Sequence, residues 1–503
     1  MPRFSPCAWR SPMAEPIPCL IRTLAPLHLG ADEVFEPLGF VIDENAHPPC
    51  LVAFEPWSFL ARLPERDRRQ FMDLCRQGTV ASLLEIYRFY HERRRQAQGR
   101  AVPVCPGLVG HYQNVMKARD GDRDLQKTIS QFTIHRTAFL AHDQRPYIPG
   151  SAIKGALRTA YLNALAASKS HVKSNPHDKG AAGRLERELL EGSFANDPFR
   201  LVKVSDFLPV GDIRTRIVYA VYEKKDRSVA REIYQILEVI DPGAMFLGRI
   251  NVEALTPEER RLAGIGAPLA KETLWETARH FYSRERLREE KDLAAMKIPL
   301  SPLGIAGDAA PLRLGRHSGS ECVTIDGHRH IRISRPGVKP PRFGPSPTTL
   351  WFAADYYLKR DLPKAHLRPM GWAALGELSP AELDDLQARE EAWQGQVRAA
   401  TPVVAVSQPA SAADEKHTAP PPPVQAPPER EVWEGATLTW EGGRQQLNAA
   451  WQGKRAFCRG LELAPPELQA ALTAKKKSKG VTAKVTVEAL GTAWRIVAVE
   501  KIS

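Results

Sequence analysis

The sequence predicts an α+β protein of two mixed units followed by a small β domain, and three observations support this. Segments with strand-like alternation lie on both sides of long helical segments, so neither an all-α nor an all-β fold fits. A stretch rich in proline and alanine, residues 397–430, lacks the apolar residues that a core needs. The strand pattern returns after it, in residues 431–503. With 503 residues, the chain is long enough for two or three domains.

The overall composition is basic and typical of a globular protein. The chain contains 70 Lys and Arg against 58 Asp and Glu, which gives a net charge of +12 and a pI of about 9.3. This balance favours a polyanionic partner, although an ordinary basic surface would produce it as well. The seven cysteines form no C-x-x-C pair, which predicts reduced thiols and no structural zinc. No apolar run approaches the roughly 20 residues that span a bilayer, and no signal-peptide pattern opens the chain, so we expect a cytoplasmic protein.

The first mixed unit is expected over residues 17–195, after a disordered extension of residues 1–16. Alternation in residues 17–43 predicts an opening hairpin. A helical insertion follows, with helix starts at Pro56, Pro64 and Thr79. Residues 108–124 are polar and punctuated by glycines, which predicts a loop or an inserted hairpin. The β-branched residues 128–137 then predict a strand, and Arg136 near its end is a candidate RNA contact.

The most informative segment is Tyr147–Thr159, which reads YIPGSAIKGALRT. Ser151 is a favourable N-cap, and the residues after it favour a helix. At about 100° per residue, one helix face carries Ser151, Lys154, Gly155 and Arg158. A glycine inside a helix costs roughly 1 kcal/mol relative to alanine, which suggests that another molecule approaches the backbone at Gly155. Together with Gly150 and the free N–H groups of the first turn, this face predicts a contact with a sugar-phosphate chain; a capped surface helix with solvated cations is the alternative.

The second mixed unit is expected over residues 196–372. Its strand patterns lie at 199–207, 213–222 and 244–253, and its long helical segment at 271–297. A glycine-containing loop follows at 312–319, with the candidate RNA contacts Arg313, Gly315, Arg316 and Gly319. Successive N–H groups in such a loop can form an anion-binding nest. Two glycines can equally mark a tight turn, so both interpretations stay open.

The remaining residues divide into a helical segment at 373–396, a linker with polyproline II character at 397–430, and a small basic β domain at 431–503. The strand pattern of the β domain predicts a small barrel of the OB or SH3 type. It holds 11 Lys and Arg against 7 Asp and Glu. Lys475 to Lys479 could bind phosphate. Its aromatic residues Trp440, Trp451 and Phe457 could stack on bases or fill the core of the barrel.

Three segments resemble motifs of the RAMP superfamily of CRISPR-associated RNA-binding proteins. Ile148 to Arg158 matches every position of the signature helix, I-P-G-S-x-I-K-G-x-x-R. Residues 21–30, which read IRTLAPLHLG, resemble the first strand and its T-x-x-P-h-H-h-G turn, which includes His28 and Gly30. Residues 312–319 resemble the glycine-rich loop more weakly, with two glycines. The order of these parts and the segment 197–206 look most like the subunit-five family of type III-A Csm effector complexes.

The resemblance covers residues 17–372 and implies two ferredoxin-like (RRM-like) units. It implies a subunit without catalytic residues, metal or cofactor that caps the backbone of the complex and holds the 3′ side of the guide RNA. The implied partners are the guide RNA, the target RNA and other Csm subunits, with no membrane contact. The implied RNA-binding residues are His28, Gly30, Arg136, Gly150, Ser151, Lys154, Gly155, Arg158, Arg313, Gly315, Arg316 and Gly319.

Two enzymatic alternatives compete with this interpretation. No P-loop, H-E-x-x-H or G-x-S-x-G motif occurs, so these give no support to ATP hydrolysis, zinc proteolysis or α/β-hydrolase chemistry. Attack by a ribose 2′-hydroxyl would need an acid, a base and a cation, for which His28, His135 and Lys154 are available. Cleavage of target RNA by an acidic loop residue would use Asp32. We expect neither activity.

Overall fold

The computed structural model describes the residues 16–118, 132–173, 180–230, 233–265, 269–300, 302–305, 307–333, 342–358, 362–400, 430–441, 446–461, 463–473, 481–490 and 493–501. They belong to two compact units, residues 1–403 and 404–503, which we call the body and the tail domain. The expected N-terminal extension, apart from residue 16, and residues 401–429 of the expected linker lie outside the described residues.

The body combines helices and strands, which confirms the α+β class. Its described helices are α1 Pro56–Ala61, α2 Glu65–Gln77, α3 Val80–Glu92, α4 Pro106–Lys117, α5 Gly150–Ser168, α6 Ala181–Leu189, α7 Pro257–Ala263, α8 Lys271–Met296 and α9 Pro380–Ala400. Its described strands are β1 Ile17–Thr23, β2 Gly30–Phe35, β3 Phe40–Asp43, β4 Cys50–Ala53, β5 Arg100–Pro103, β6 Ile134–Thr137, β7 Val202–Val204, β8 Leu208–Pro209, β9 Thr215–Lys224, β10 Tyr234–Ile240, β11 Met245–Val252, β12 Ala310–Arg313, β13 Ile331–Ile333, β14 Arg342–Gly344, β15 Thr349–Ala354, β16 Arg368–Pro369 and β17 Trp372–Glu377.

Two six-stranded sheets form the centre of the body. The first has the order β12-β17-β1-β11-β7, with β8 also paired to β11, and the second has the order β16-β15-β9-β10-β6-β2. In the second sheet β6 and β10 run parallel, whereas β1 is antiparallel to both of its neighbours. Each sheet takes strands from both sides of residue 195, where the sequence predicted a boundary between two units.

The first sheet and two helices share one core. The inward side chains of β1, such as Cys19 and Ile21, are fully buried in the same cluster as Ile153 and Leu157 of α5. Helix α8 packs beside α5, and its Tyr282 hydroxyl donates a 3.1 Å hydrogen bond to the carbonyl oxygen of Ala156. Because the apolar face of α5 is fixed in this way, its opposite face is held at a defined place on the body.

Two segments of the body differ from the sequence-based prediction. Residues 106–117 form helix α4 where a loop or hairpin was predicted, because Leu108, Tyr112 and Val115 recur at helical spacing and are buried in the core of the second sheet. The rest of that predicted loop, residues 119–124, lies outside the described residues. The predicted helical segment 373–396 begins instead with β17, whose buried residues complete the first sheet, and α9 follows it.

The tail domain is a closed five-stranded barrel, which confirms the predicted small barrel. Its elements are β18 Arg430–Glu441, β19 Gln446–Trp451, β20 Lys454–Arg459, α10 Pro466–Thr473, β21 Val481–Leu490 and β22 Ala493–Lys501. Inward side chains such as Leu447, Val485 and Ile496 give it a hydrophobic core of its own. The predicted phosphate-binding run Lys475 to Lys479 lies outside the described residues.

Candidate nucleic-acid interface

The first turn of α5 is packed tightly against the end of β7. A Cβ atom on Gly150 would lie 2.5 Å from the carbonyl oxygens of Val204 and Ser205, so only glycine fits there. The helix begins at Gly150 after Pro149, one residue before the predicted start at Ser151. The Gly150 N–H donates a 2.8 Å hydrogen bond to the carboxylate of Asp206. One of the N–H groups predicted to be free for an anion is therefore already engaged by the protein itself.

The two cations of α5 differ in how they are paired. The Arg158 guanidinium lies 2.9 Å from the carboxylate of Glu186 and 2.7 Å from that of Asp197. The Lys154 ammonium donates a 2.8 Å hydrogen bond to the carbonyl oxygen of Val202. Among the described residues no carboxylate lies within salt-bridge distance of Lys154. Lys154 therefore forms no ion pair with a described carboxylate, although the charges of Asp197 and Glu253 act on it from a longer distance, whereas Arg158 is paired directly with two carboxylates.

Gly155 lies on the solvent-exposed side of α5 with Ser151. A Cβ atom at Gly155 would meet no atom of the described protein within 4 Å. Burial of the Lys154 stem lowers the pKa of its ammonium group, and the charge of Lys203 lowers it further. We call the surface of Ser151, Lys154 and Gly155 the helix face. Internal packing explains Gly150, but it offers no reason for a glycine at position 155.

The turn after β1 is held by His28, which is buried. Its Nδ1 lies 2.7 Å from the carbonyl oxygen of Glu238; because a carbonyl only accepts, Nδ1 carries the proton. Its Nε2 has no hydrogen-bond partner among the described residues. Burial lowers the pKa of His28, and the positive charge of Arg316 lowers it further. A Cβ atom on the exposed Gly30 would lie 3.6 Å from Nε2.

The glycine-containing loop after β12 packs directly on this turn. Gly315 has a φ of +76°, and a Cβ atom there would lie 2.3 Å from the carbonyl oxygen of His28. The N–H of the next residue, Arg316, donates a 2.8 Å hydrogen bond to the same oxygen. Gly319 also has a positive φ, of +82°. Of the two interpretations left open by the sequence, this geometry is that of a tight turn that joins the loop to the first strand.

Two of the arginines predicted as RNA contacts are engaged inside the body. Arg313 is buried, forms an ion pair with Glu289, and donates a 2.8 Å hydrogen bond to the carbonyl oxygen of Met370. The guanidinium of Arg136 lies 3.5 Å over the ring of Phe139 and donates a 3.0 Å hydrogen bond to the side-chain oxygen of Gln144. Neither guanidinium is placed to receive a phosphate in this conformation.

Arg316 differs from these arginines because its side chain is exposed. Its charge lowers the pKa of the half-buried His135, for which burial is the larger cause and Asp32 acts in the opposite direction. Arg316 forms no ion pair with any described carboxylate. We call His28, Gly30, His135 and Arg316 the turn–loop cluster. The structure thus brings together residues from the turn between β1 and β2, from the start of β2, from β6 and from the loop after β12.

Sequence reasoning missed His317, although it adjoins a predicted contact. Its ring stacks on that of Trp351 at 4.3 Å, and its Nε2 lies 2.9 Å from the side-chain oxygen of Gln235. Burial lowers the pKa of His317 to about 4, so the ring is neutral at pH 7. The sequence showed that His317 adjoins Gly315 and Arg316. It could not show that the distant Trp351 packs against the His317 ring.

The far end of the same loop reaches α5. The side-chain amide of Asn163 donates a 3.2 Å hydrogen bond to the carbonyl oxygen of Thr324 and accepts one of 2.8 Å from the N–H of Asp326. The segment 314–326 is therefore fixed to the turn at one end and to the signature helix at the other. Neither His28 nor His135 is among the groups that most affect the pKa of Lys154.

The described part of the chain contains neither a metal-binding cluster nor a membrane-spanning helix. Within the described ranges, no group of three or more His, Cys, Asp or Glu side chains is arranged to hold a metal ion. No helix of the described part of the chain is both long and apolar enough to cross a bilayer.

Comparison with known proteins gives a family match and similarity to solved structures. The family model described as "RAMP superfamily" matches residues 20–294. A chain in the cryo-EM structure of a Csm–crRNA–target RNA ternary complex of a type III-A CRISPR-Cas system is 19% identical, with 72% of this chain and 100% of that chain covered and a TM-score of 0.47. The crystal structure of T. onnurineus Csm5 is also 19% identical, with 71% and 99% covered and a TM-score of 0.43. No curated protein sequence matches the chain.

Proposed function

Because the chain belongs to the RAMP superfamily, we propose that it is a non-catalytic subunit that binds guide RNA in a type III-A interference complex. It caps the backbone of the complex, holds the 3′ side of the guide and supports guide maturation and antiviral defence in the cytoplasm. Its partners are the guide RNA, the target RNA and other Csm subunits, above all the backbone RAMP subunits. The order of the sequence motifs supports the type III-A assignment.

One observation carries the RNA-binding proposal: Gly155, an exposed helix glycine without an internal packing role, lies beside Lys154, whose ammonium forms no ion pair with a described carboxylate. A glycine there costs the helix roughly 1 kcal/mol relative to alanine, and no described atom lies near enough to require it. A ligand that approaches the backbone of α5 would explain the glycine. The ammonium of Lys154, one turn of helix away from the exposed Ser151, makes a phosphate the fitting ligand.

The turn–loop cluster supports a second contact with the same strand. Arg316 presents an exposed guanidinium at a backbone position fixed by its N–H bond to His28. A cation held on a rigid turn loses less entropy on binding than one on a mobile loop. Arg136, Arg158 and Arg313 contribute to RNA binding only by holding the elements that carry Lys154 and Arg316.

The architecture of the second sheet supports the ferredoxin-like part of the proposal. Strand β6 is followed in the chain by helix α5 and, after α6, β7 and β8, by the hairpin β9–β10, and β6 lies parallel to β10 in the sheet. A strand, a helix and a hairpin in this order, with the first strand parallel to the last, resemble the split βαβ unit, although α5 packs on the first sheet. We assign the second sheet to the first unit, and the first sheet with α8 to the second unit.

The salt dependence of guide-RNA binding tests the proposed contacts. Each lost phosphate contact reduces the log–log salt slope by about 0.7 for a single strand. We expect Lys154→Ala and Arg316→Ala each to lower the slope by this amount and to weaken binding. Arg76→Ala removes an exposed arginine on α2 that is paired with Asp73 and lies outside both surfaces, so it is the control and leaves the slope unchanged. Unchanged slopes for both Lys154→Ala and Arg316→Ala would show that these residues do not contact RNA.

The alternative function is a RAMP-type endoribonuclease that processes guide RNA or cuts target RNA. The observation in its favour is that Asp32, with a φ of +56°, is close enough to His135 to influence its pKa. Against it, His28 is buried and Lys154 belongs to another surface. Incubating the protein with guide precursor or target RNA, with and without Mg²⁺, separates the two: cleavage that Asp32→Ala or His135→Ala abolishes would establish the enzyme.

A further inference from the structure

The strand order of the tail domain identifies which barrel it is. The order is β18-β19-β20-β22-β21, closed by pairing of β18 with β21, and β20 runs parallel to β22. Helix α10 lies in the chain between β20 and β21. A parallel pair between the third and fifth strands, with a helix between the third and fourth, is the topology of the OB fold. This choice between an OB and an SH3 barrel could not be made from the sequence.

The long first strand explains how the barrel closes. β18 pairs through its first part with β21 and through its last part with β19. The register shifts between Trp433 and Ala436, where Gly435 has a φ of +76°. A bulge of this kind bends a strand and increases its twist, which lets one strand belong to both sides of the barrel.

The aromatic residues of the barrel have two different roles. Trp433 is fully buried in the core, and Trp440, Trp451 and Trp494 pack against the core from its edge. Phe457 is 45% exposed, because its neighbours Ala456 and Cys458 on β20 point inward and strand side chains alternate. Trp433 therefore fills the barrel core, and the other three tryptophans pack partly against it. The ring of Phe457 instead points outward.

Polar and cationic side chains surround the Phe457 ring. Asn448 lies directly opposite Phe457 on β19, and Arg495 is its register partner on β22. Arg455 is two residues away on the same side of β20 and is exposed. We call Gln446, Asn448, Arg455 and Phe457 the barrel face. Helix α10 packs against β18 and β21, so it does not cover this face.

The charges next to the barrel face differ in their pairing. Arg495 forms an ion pair with Glu488 at 3.2 Å, and Lys454 forms one with Glu431 at 2.6 Å. Within the described residues of the tail domain, Arg455 has no carboxylate at salt-bridge distance. The amide of Gln446 donates a hydrogen bond of 2.9 Å to Asn448, which leaves the other polar atoms of both amides available to a ligand. The face thus offers one aromatic ring, one unpaired cation and two amides.

We propose that the barrel face binds single-stranded nucleic acid, with a base stacked on Phe457 and a phosphate at Arg455. A paired base has its faces covered by its neighbours, so an outward ring on a barrel selects unpaired bases. The face of the second and third strands is also the surface that OB folds offer to oligonucleotides. Residues 431–503 of the tail domain carry 11 Lys and Arg against 7 Asp and Glu, which favours a polyanion over an acidic protein surface. The barrel face belongs to the tail domain and lies outside the residues that the family model matches, 20–294.

Site-resolved crosslinking of the full chain tests the inference. A 4-thiouridine RNA of about 12 nucleotides, within the site size of one OB fold, is irradiated with the protein, and crosslinked peptides are mapped by mass spectrometry. We expect a crosslink in the β20 peptide. Phe457→Ala should reduce its yield and weaken the barrel component of binding about tenfold, as expected for the loss of one stacked base. Phe457→Tyr, which keeps the ring, should restore both.

Two controls separate the barrel from the body and from general damage. Val432→Ala removes an apolar side chain that is 50% exposed on β18, a strand outside the barrel face, and should leave the crosslink unchanged. Lys154→Ala should lower crosslinking of the body while the β20 crosslink remains. Crosslinks confined to the body, or a β20 crosslink that survives Phe457→Ala, would overturn the inference. Capture of another protein through Phe457 without any RNA crosslink on the barrel would overturn it equally.

Discussion

Replacing Gly155 by alanine should stabilise the protein and weaken RNA binding at the same time. The added Cβ atom meets no described atom within 4 Å, so the helix gains propensity without an internal clash. This gain is about 1 kcal/mol. An unfolding entropy of about 2 cal/mol/K per residue amounts to about 0.8 kcal/mol/K for the body. The melting temperature should therefore rise by about 1 °C, which differential scanning calorimetry resolves.

The same Cβ atom should obstruct the RNA backbone. A charge-assisted hydrogen bond is worth about 1.5–3 kcal/mol, so the loss of one contact weakens binding about tenfold or more. Gly110→Ala is the matched control, because Gly110 is an exposed glycine inside helix α4 and its added Cβ also meets no described atom. It should stabilise the body similarly and leave RNA affinity unchanged. If Gly155→Ala is more stable and binds guide RNA like the wild type, the RNA backbone does not approach α5.

Three further predictions concern the stability of the body. Arg313→Met should lower the free energy of unfolding, measured by urea denaturation, by about 3–5 kcal/mol, because it leaves the carboxylate of Glu289 buried and unpaired. The double variant with Glu289→Leu should recover much of this loss. A single variant with nearly unchanged stability would contradict the buried pairing. Burial lowers the pKa of His111 to about 4, so the unfolded chain binds more protons below pH 6.5 and stability falls as the pH is lowered from about 6.5 to about 4. At pH 5 this loss is about 2 kcal/mol relative to pH 7, and His111→Gln should show a correspondingly flatter profile. Gly315→Ala should destabilise the body by about 1–3 kcal/mol, because it forces alanine into a positive φ and brings its Cβ atom against the carbonyl oxygen of His28. An unchanged melting temperature would contradict the tight turn.

The sequence predicted local features well because they depend on neighbouring residues. The periodicity after Ser151 placed Lys154 and Gly155 on one face, and the capping pattern placed the start of α3 at Thr79. The partners of the cations could not be predicted in the same way. Arg158 is paired with Glu186 and Asp197, which follow it by 28 and 39 residues in the sequence. No local sequence pattern predicts such pairs.

Sheet membership was the other feature that the sequence did not reveal. The alternation at 17–23 predicted a strand, but alternation does not specify the neighbour of a strand, and its partner β17 was predicted as part of a helical segment. The sequence therefore favoured two consecutive units, whereas the strands of the body interleave. Helix α4 was missed for a related reason. Its glycines suggested a loop, and its apolar residues are buried only because they pack on the second sheet, which the sequence did not place beside them.

The position of β1 has a consequence for how the protein is made. Strand β1 lies between β11 and β17, so its last partner is synthesised about 350 residues after it. Until Trp372 has been synthesised, the apolar side chains of β1 lack part of their sheet, and the N–H groups of Leu24 and Ala25 lack the carbonyl oxygen that accepts them. The first sheet therefore closes around β1 only late in translation, when almost the whole body has been made.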